Sequence, residues 1–348
     1  MRKHVYCESK FLETCISKIN NWQFSPDNFE ELQLWMCVKA MIFSQNIILH
    51  LDITDDDLPK FDGVRPTKQF ADWQKEIAAK INTSEIHLRL GNFVTPKNID
   101  KSDNTQLTAY YLTCCDSKTC QNCMDECGVL AICPDNIKDF KDILYDNGAA
   151  IKRDNQASWD KILKFTYCNS MIIVDNYILK EKNYAKNLQS VFSKLLPECL
   201  TKNIPFQLYI ITILPNYANP NEYESSIKKI ITQIRPKLQL QLSLFPSLTC
   251  DFHDRIIISN NIYISCGSGF NLFKMNYDIS RFNLVSSKTT TMNILYPFFP
   301  TPIKWVTKAY SNFLEDISKY CNDAIQNCTS NKTLVVGEKQ NRLCEMIK

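Results

Sequence analysis

Residues 253–271 read HDRIIISNNIYISCGSGFN. Two β-branched runs, 255–259 and 262–266, flank Asn260-Asn261, a pair suited to a tight turn, so the stretch predicts an antiparallel hairpin. Arg255 lies two residues beyond His253, and strand alternation puts both side chains on one face. The turn Gly267-Ser268-Gly269 holds two of the chain's seven glycines. Its backbone freedom lets Ser268 and Asn271 return toward the head of the first strand. Two residues on one face with a glycine-bearing turn beside them make a sensible phosphate cradle.

Working outward, MIIVD (171–175) is a short apolar run ended by a carboxylate, as in a buried strand. Tyr184, Leu188, Val191 and Leu195 recur at helical spacing, and FQLYIITIL (206–214) is rich in strand formers. Asn219-Pro220-x-Glu222 supplies an N-cap, a first-turn proline and a capping-box acid for a helix striped by Tyr223, Ile227, Ile230 and Ile234. Leu238, Leu240, Leu242 and Leu244 then alternate as in a half-buried strand. The second half therefore reads β-α-β-α-β-β-β, an α/β sheet covered by helices with the hairpin added antiparallel. Val306, Tyr310, Phe313, Ile317, Tyr320 and Ala324 stripe a further helix, and the polar residues past about 328 are expected to fray. Before this, FEELQLWMCVKAMIF (29–43) and FADWQKEIAAKI (70–81) predict helices, and IILHLDI (47–53) and LTAYYLT (107–113) predict strands. The expected division is an α+β region over 1–165, a sheet domain over 166–300, and a C-terminal helix with a polar tail over 301–348.

The order His-x-Arg, four residues, Asn, six residues, Gly-Ser-x-x-Asn resembles the phospholipase D superfamily signature. Arg255 stands where the superfamily has lysine and Asn260 where it has aspartate; the tyrosyl-DNA phosphodiesterase branch is similar in having an asparagine there. The resemblance covers residues from about 168 to 275. It implies a metal-independent phosphodiesterase in which His253 attacks phosphorus to form a phosphohistidine. Arg255, Ser268 and Asn271 would hold phosphate oxygens, and Asn260 would orient a facing histidine. Arginine keeps the charge of lysine, but its planar fork differs from a compact ammonium, so oxyanion binding and turnover need not survive together. The His-Asp-Arg segment also resembles the phospholipase D-like C-terminal domain of MIT-domain-containing proteins, a non-catalytic, lipid-binding family. Superfamily enzymes use two motifs per active site. Of the other histidines only His87-x-Arg89 imitates the start, without an acid or amide at the right spacing. One motif per chain implies a homodimer with a shared site.

The totals narrow the partners. Forty basic and 37 acidic residues give a net charge of +3, too little for a global field that gathers nucleic acid or anionic membrane. No apolar run approaches the roughly 20 residues of a membrane span, and the residues after Met1 do not form a signal peptide. The 16 cysteines are accordingly read as reduced and the chain as cytoplasmic. Cys120-x-x-Cys123 with Cys127 and Cys133 offers four thiolates for a structural zinc ion, against a default of unligated thiols. Asp55-Asp56-Asp57 reads as a solvated loop. Lys228, Lys229, Arg235 and Lys237 read as a solvated helix face, or more sharply as a patch tracking a phosphate backbone.

Two functional readings follow. One is a nuclease-like phosphodiesterase needing no cofactor, of a kind that would suit a prokaryotic defence effector. The other is a catalytically silent module of the same fold that binds a phosphorylated ligand, nucleic acid or anionic lipid.

Overall fold

The computed structural model describes residues 2–23, 29–60, 69–83, 86–93, 95–141, 148–152, 167–179, 184–201, 204–214, 219–246, 255–266, 273–275, 282–284, 291–295, 304–327 and 335–345. The chain forms two compact units: residues 1–124, 129–147 and 298–307, and residues 125–128, 148–297 and 308–348. Among the described residues no helix is long and apolar enough to cross a membrane.

The first unit is built on five parallel strands: β1 (Lys3–Cys7), β2 (Ile47–Leu51), β3 (His87–Leu90), β4 (Tyr110–Leu112) and β5 (Leu130–Ile132), in the order β3-β2-β1-β4-β5. Helices α1 (Ser9–Asn20), α2 (Phe29–Ile42), α3 (Asp72–Asn82), α4 (Asn104–Thr108) and α5 (Ser117–Cys127) connect them. Residues Phe11, Leu12, Cys15 and Ile16 form the buried stripe of α1, and Phe11 meets the ring of Trp35 from α2. The expected α+β region is thus a parallel α/β sheet. Strands β2 and β4 fall within the predicted stretches 47–53 and 107–113, whereas β1, β3 and β5 escape a sequence reading: β5 is three residues long and β1 opens on Lys3-His4.

The second unit contains an eight-stranded mixed sheet. Strands β6 (Gly148–Lys152), β7 (Ser170–Val174), β8 (Phe206–Thr212), β9 (Leu240–Pro246), β10 (Arg255–Ser259), β11 (Tyr263–Cys266), β14 (Thr291–Leu295) and β15 (Val336–Gly337) lie in the order β15-β9-β8-β7-β10-β11-β14-β6. A separate ribbon pairs β12 (Phe273–Met275) with β13 (Phe282–Leu284). Strands β7, β8 and β9 are parallel, joined through α6 (Tyr184–Leu195) and α7 (Pro220–Ile234), while β10 runs antiparallel to β7 and hairpins into β11. The predicted β-α-β-α-β-β-β succession is therefore present. Successive residues of β7 face opposite sides of the sheet. Met171 shares a small apolar cavity with Leu195 of α6, whereas the Ser170 hydroxyl donates to Asn341 Oδ1 at 2.8 Å. Helix α6 thus covers one face, and the other carries the C-terminal segment with α8 (Lys304–Asn327) and α9 (Arg342–Glu345).

Two boundaries differ from the sequence reading. Strand β6, within the expected first region, pairs with β14 in the second sheet, a partner some 140 residues away that no local pattern reveals. The polar tail is built in: β15 extends the sheet beside β9, and Asn341, Arg342 and Leu343 are buried. The Asn341 amide donates to the carbonyls of Met171 and Gln207, and Arg342 Nη1 donates to those of Asn169 and Pro205. These polar side chains occupy the interior because they satisfy backbone oxygens at the amino ends of β7 and β8.

Candidate functional site

Because β7, β8 and β9 are parallel, their carboxyl ends share one edge of the second sheet, and antiparallel β10 begins at that edge with Arg255. Ile256 pairs with Val174 and Val174 with Ile211, so the next position outward sets Arg255 beside Asp175 and Asp175 beside Thr212. Thr212 in turn pairs with Pro246. Neighbours in a row project from the same face, so Arg255, Asp175 and Thr212 share the α6 side of this edge. Asp175 and Thr212 are fully buried, and the Thr212 hydroxyl has no hydrogen-bond partner among the described residues.

The loop after β7 completes the arrangement. Asp175 N–H donates to the Ile211 carbonyl at 3.1 Å, which continues the ladder, and Asp175 Oδ1 accepts from Tyr177 N–H at 2.8 Å, which turns the chain. The turn presents the Tyr177 ring, 42% exposed, 5.0 Å from the guanidinium carbon of Arg255. A cation over a ring face holds its planar fork in a defined orientation. In a β-α-β crossover the helix starts where the strand ends, so the first turns of α6 and α7 belong to this edge too. There the rings of Tyr184 and Tyr223 lie 5.5 Å apart, and the hydroxyls of Tyr184 and Ser226 are 3.1 Å apart. Ligands of open α/β sheets bind outside such carboxyl edges.

Of the residues predicted for the site, Arg255 stands at this edge, while His253, Ser268 and Asn271 lie outside the described residues. Asn260 is elsewhere. It is five residues from Arg255, so the two are separated by roughly 16 Å along β10. Asn260 is 2% exposed; its Oδ1 accepts from the backbone N–H groups of Asn169 and Ser170 at 3.1 and 3.0 Å, and its Nδ2 donates to Asn169 Oδ1 at 3.2 Å. Its contacts tie the β10–β11 turn to the start of β7. Three residues went unread in the sequence: Asp175, Thr212 and Tyr177. The carboxylate ending MIIVD was visible, but only strand register places it beside Arg255.

The first sheet has an edge of the same kind, with its switch point between β1 and β4. Here Glu8 closes the crevice. Its Oε1 accepts from the Thr113 hydroxyl at 2.6 Å and its Oε2 from Cys114 N–H at 2.7 Å, while its own N–H donates to the Leu112 carbonyl. At the start of α1, Ser9 N–H donates to the Asp52 carboxylate. Donors that would receive a phosphate are held by the protein's own carboxylates.

The remaining candidates resolve on geometry. Cys120, Cys123 and Cys127 are buried on α5 and Cys133 follows β5; among the described residues no three metal-ligating side chains converge on one point. Cys120 and Cys127 are separated by roughly 10.5 Å of helical rise, too far for thiolates that must each sit about 2.3 Å from one zinc ion. Burial raises the Cys120 thiol pKa, and the Cys133 thiol within hydrogen-bonding reach adds to the shift. In the basic stripe, Lys228 pairs with Glu224, and Arg235 pairs with Glu198 while donating to the carbonyls of Leu196 and Ser193. On one face of the first sheet, His4 Nδ1 and His50 Nε2 are 2.8 Å apart, and desolvation lowers each imidazole to about 4. His87 and Arg89 share that face by register, away from the β1–β4 crevice.

No protein-family description matches the chain, and a comparison with curated proteins found no match.

Proposed function

We propose that the chain is a metal-independent phosphodiesterase of phospholipase D-like chemistry, acting on nucleic acid, with its phosphate site at the carboxyl edge of the second sheet. The observation that carries this reading is the position of Arg255: the one motif residue described at the edge is a cation, oriented by an aromatic ring, in the crevice where α/β sheets receive ligands. His253 acts as nucleophile. Its imidazole nitrogen bonds to phosphorus as the bond to the leaving oxygen breaks, and water then cleaves the phosphorus–nitrogen bond to restore the imidazole. Arg255, Ser268 and Asn271 hold the non-bridging oxygens as charge develops.

One motif per chain leaves the leaving oxygen without an acid, and the crevice of the first sheet is taken by Glu8. The partner's His253 fills that role in a homodimer. Reduced thiols and a cytoplasmic setting belong to the same reading. Asn260 is not part of it, since its amide is engaged at the far end of β10.

The test is cleavage of single- and double-stranded DNA, RNA and a simple phosphodiester ester in EDTA, by wild type and His253→Ala, with light scattering for mass. Metal-independent cleavage by a dimer, lost in the variant, is expected. A strictly monomeric chain, or cleavage that survives in His253→Ala, overturns the mechanism. The guanidinium's engagement with Tyr177 favours a second reading, a silent phosphate-binding module, which would bind these ligands without turnover.

A further inference from the structure

We propose that Cys321 and Cys344 form a reversible disulfide that fastens the C-terminal segment to the rest of the second unit. Cys321 lies on α8 and Cys344 on the single turn of α9. Two observations bring them together. The Ser318 hydroxyl donates to the Cys344 carbonyl at 3.1 Å, and Ser318 stands one turn before Cys321 on the same face of α8. The two thiols are themselves within hydrogen-bonding reach of one another.

Unequal access assigns the two roles. Cys321 is 1% exposed, and burial, reinforced by the neighbouring Cys344 thiol, raises its pKa. Cys344 is half-buried, so an oxidant meets its sulfur first. A hydroperoxide transfers one oxygen to the Cys344 thiol, which becomes a sulfenic acid while the peroxide is reduced to an alcohol or water. The Cys321 sulfur then bonds to the Cys344 sulfur as the sulfur–oxygen bond breaks. The departing hydroxide leaves as water with the Cys321 proton. A dithiol reductant restores both thiols by exchange. Cys120 and Cys133 are a second pair of neighbouring thiols, but both are fully buried, so the oxidant does not reach them in the folded chain.

The bond would hold the turn that seals the amino ends of β7 and β8. Cys344 N–H donates to the Asn341 carbonyl at 3.1 Å, so its backbone belongs to the same turn as Asn341 and Arg342. Those two side chains bond the carbonyls of Met171, Gln207, Asn169 and Pro205. Upstream the segment is tied to the sheet by β15, a strand of two residues. A disulfide adds a tether on the other side of the turn and closes a loop of about 23 residues, which restricts the unfolded chain.

The experiment uses the full chain as wild type, Cys321→Ser and Cys344→Ser. Reduced protein, freed of reductant, is treated with hydrogen peroxide, blocked with N-ethylmaleimide and mapped by peptide mass. Wild type should yield a linked peptide joining residues 321 and 344, reversed by dithiothreitol. The oxidised chain should melt roughly 5 °C higher than the reduced one. Amide exchange over 335–345 should slow on the order of tenfold. Cys321→Ser should lose the link and hold Cys344 as a sulfenic acid that dimedone traps. Cys344→Ser should leave Cys321 a free thiol.

Recovery of both residues as maleimide adducts after oxidation, or a link from either to another cysteine, overturns the pairing. A dimedone adduct on Cys321 in Cys344→Ser overturns the assignment of roles. A linked chain whose melting and exchange match the reduced protein overturns the fastening. Should Cys321→Ser not fold, Cys344→Ser decides, and a disulfide at Cys321 that persists in it ends the proposal.

Discussion

The two sheets share a strand order and differ in the direction of one strand. In the first the order is β3-β2-β1-β4-β5, and in the second the corresponding core is β9-β8-β7-β10-β11. Each begins with three parallel strands and places the fourth beside the first. In the first sheet the fourth strand follows a helix and runs parallel, so its end reaches the carboxyl edge and brings Thr113 and Cys114, which Glu8 binds. In the second the fourth strand is antiparallel, so its start reaches that edge and brings Arg255. The comparison teaches that connectivity supplies the crevice, while the sense of one strand decides whether it closes on a carboxylate or presents a cation.

The sharpest way to break this contrast is to alter the two edges separately. Arg255→Ala should lower kcat/KM for phosphodiester cleavage by roughly 1000-fold, about 4 kcal/mol of transition-state stabilisation. Glu8→Ala, assayed well below its melting temperature, should leave kcat/KM within about threefold of wild type, because no oxyanion-binding role falls to it. Loss of cleavage in a folded Glu8→Ala protein would end the distinction between an active and a closed edge.

Next in size is Asn260→Ala. It strips the acceptor from two buried backbone N–H groups and should cost about 2–4 kcal/mol in urea unfolding, with activity per folded molecule retained. A variant of normal stability that has lost cleavage would return Asn260 to the site. Glu8→Ala should itself cost about 1–3 kcal/mol, seen as a lower urea midpoint of the first unit, since a hydroxyl and an N–H lose their acceptor.

The smallest effect concerns pH. His4 and His50 are lowered from 6.5 to about 4 in the folded chain, first by desolvation and then, among other charges, by Arg89. Above pH 6.5 they are neutral whether folded or unfolded and contribute no pH dependence. As pH falls from 6.5 to about 4 the unfolded chain takes up protons that the folded one refuses, so stability declines across that window and levels off below it. His50→Gln should flatten this decline in melting curves collected between pH 7 and 4. An unchanged slope would show that the pair does not titrate as its burial implies.

How much of this was legible beforehand varied with the range of the interaction. The helices and strands of 171–266 were readable because each repeats its apolar period over several turns or alternations. Strands β1 and β5 were not, being short or opening on charged residues whose burial depends on tertiary neighbours. Arg255 could be found from motif spacing alone. Asp175, Thr212 and Tyr177 could not, since their proximity is a matter of register between strands some 40 to 80 residues apart. The motif's even spacing also misled: residues 255 and 260 look adjacent in a pattern but stand at opposite ends of an extended strand. Asn341 and Arg342 escaped because their polarity reads as solvent exposure, whereas their work is to bond strand carbonyls.

That last feature bears on how the protein is made. The carbonyl of Asn169 meets its Arg342 donor only after some 170 further residues have been translated. At about 5–20 residues per second, the amino ends of β7 and β8 wait roughly 10 to 35 seconds on the ribosome for the groups that seal them. A nascent chain stalled before residue 336 would expose the free edge of β9 to any neighbouring strand, so premature termination should yield aggregates in place of a trimmed but working product.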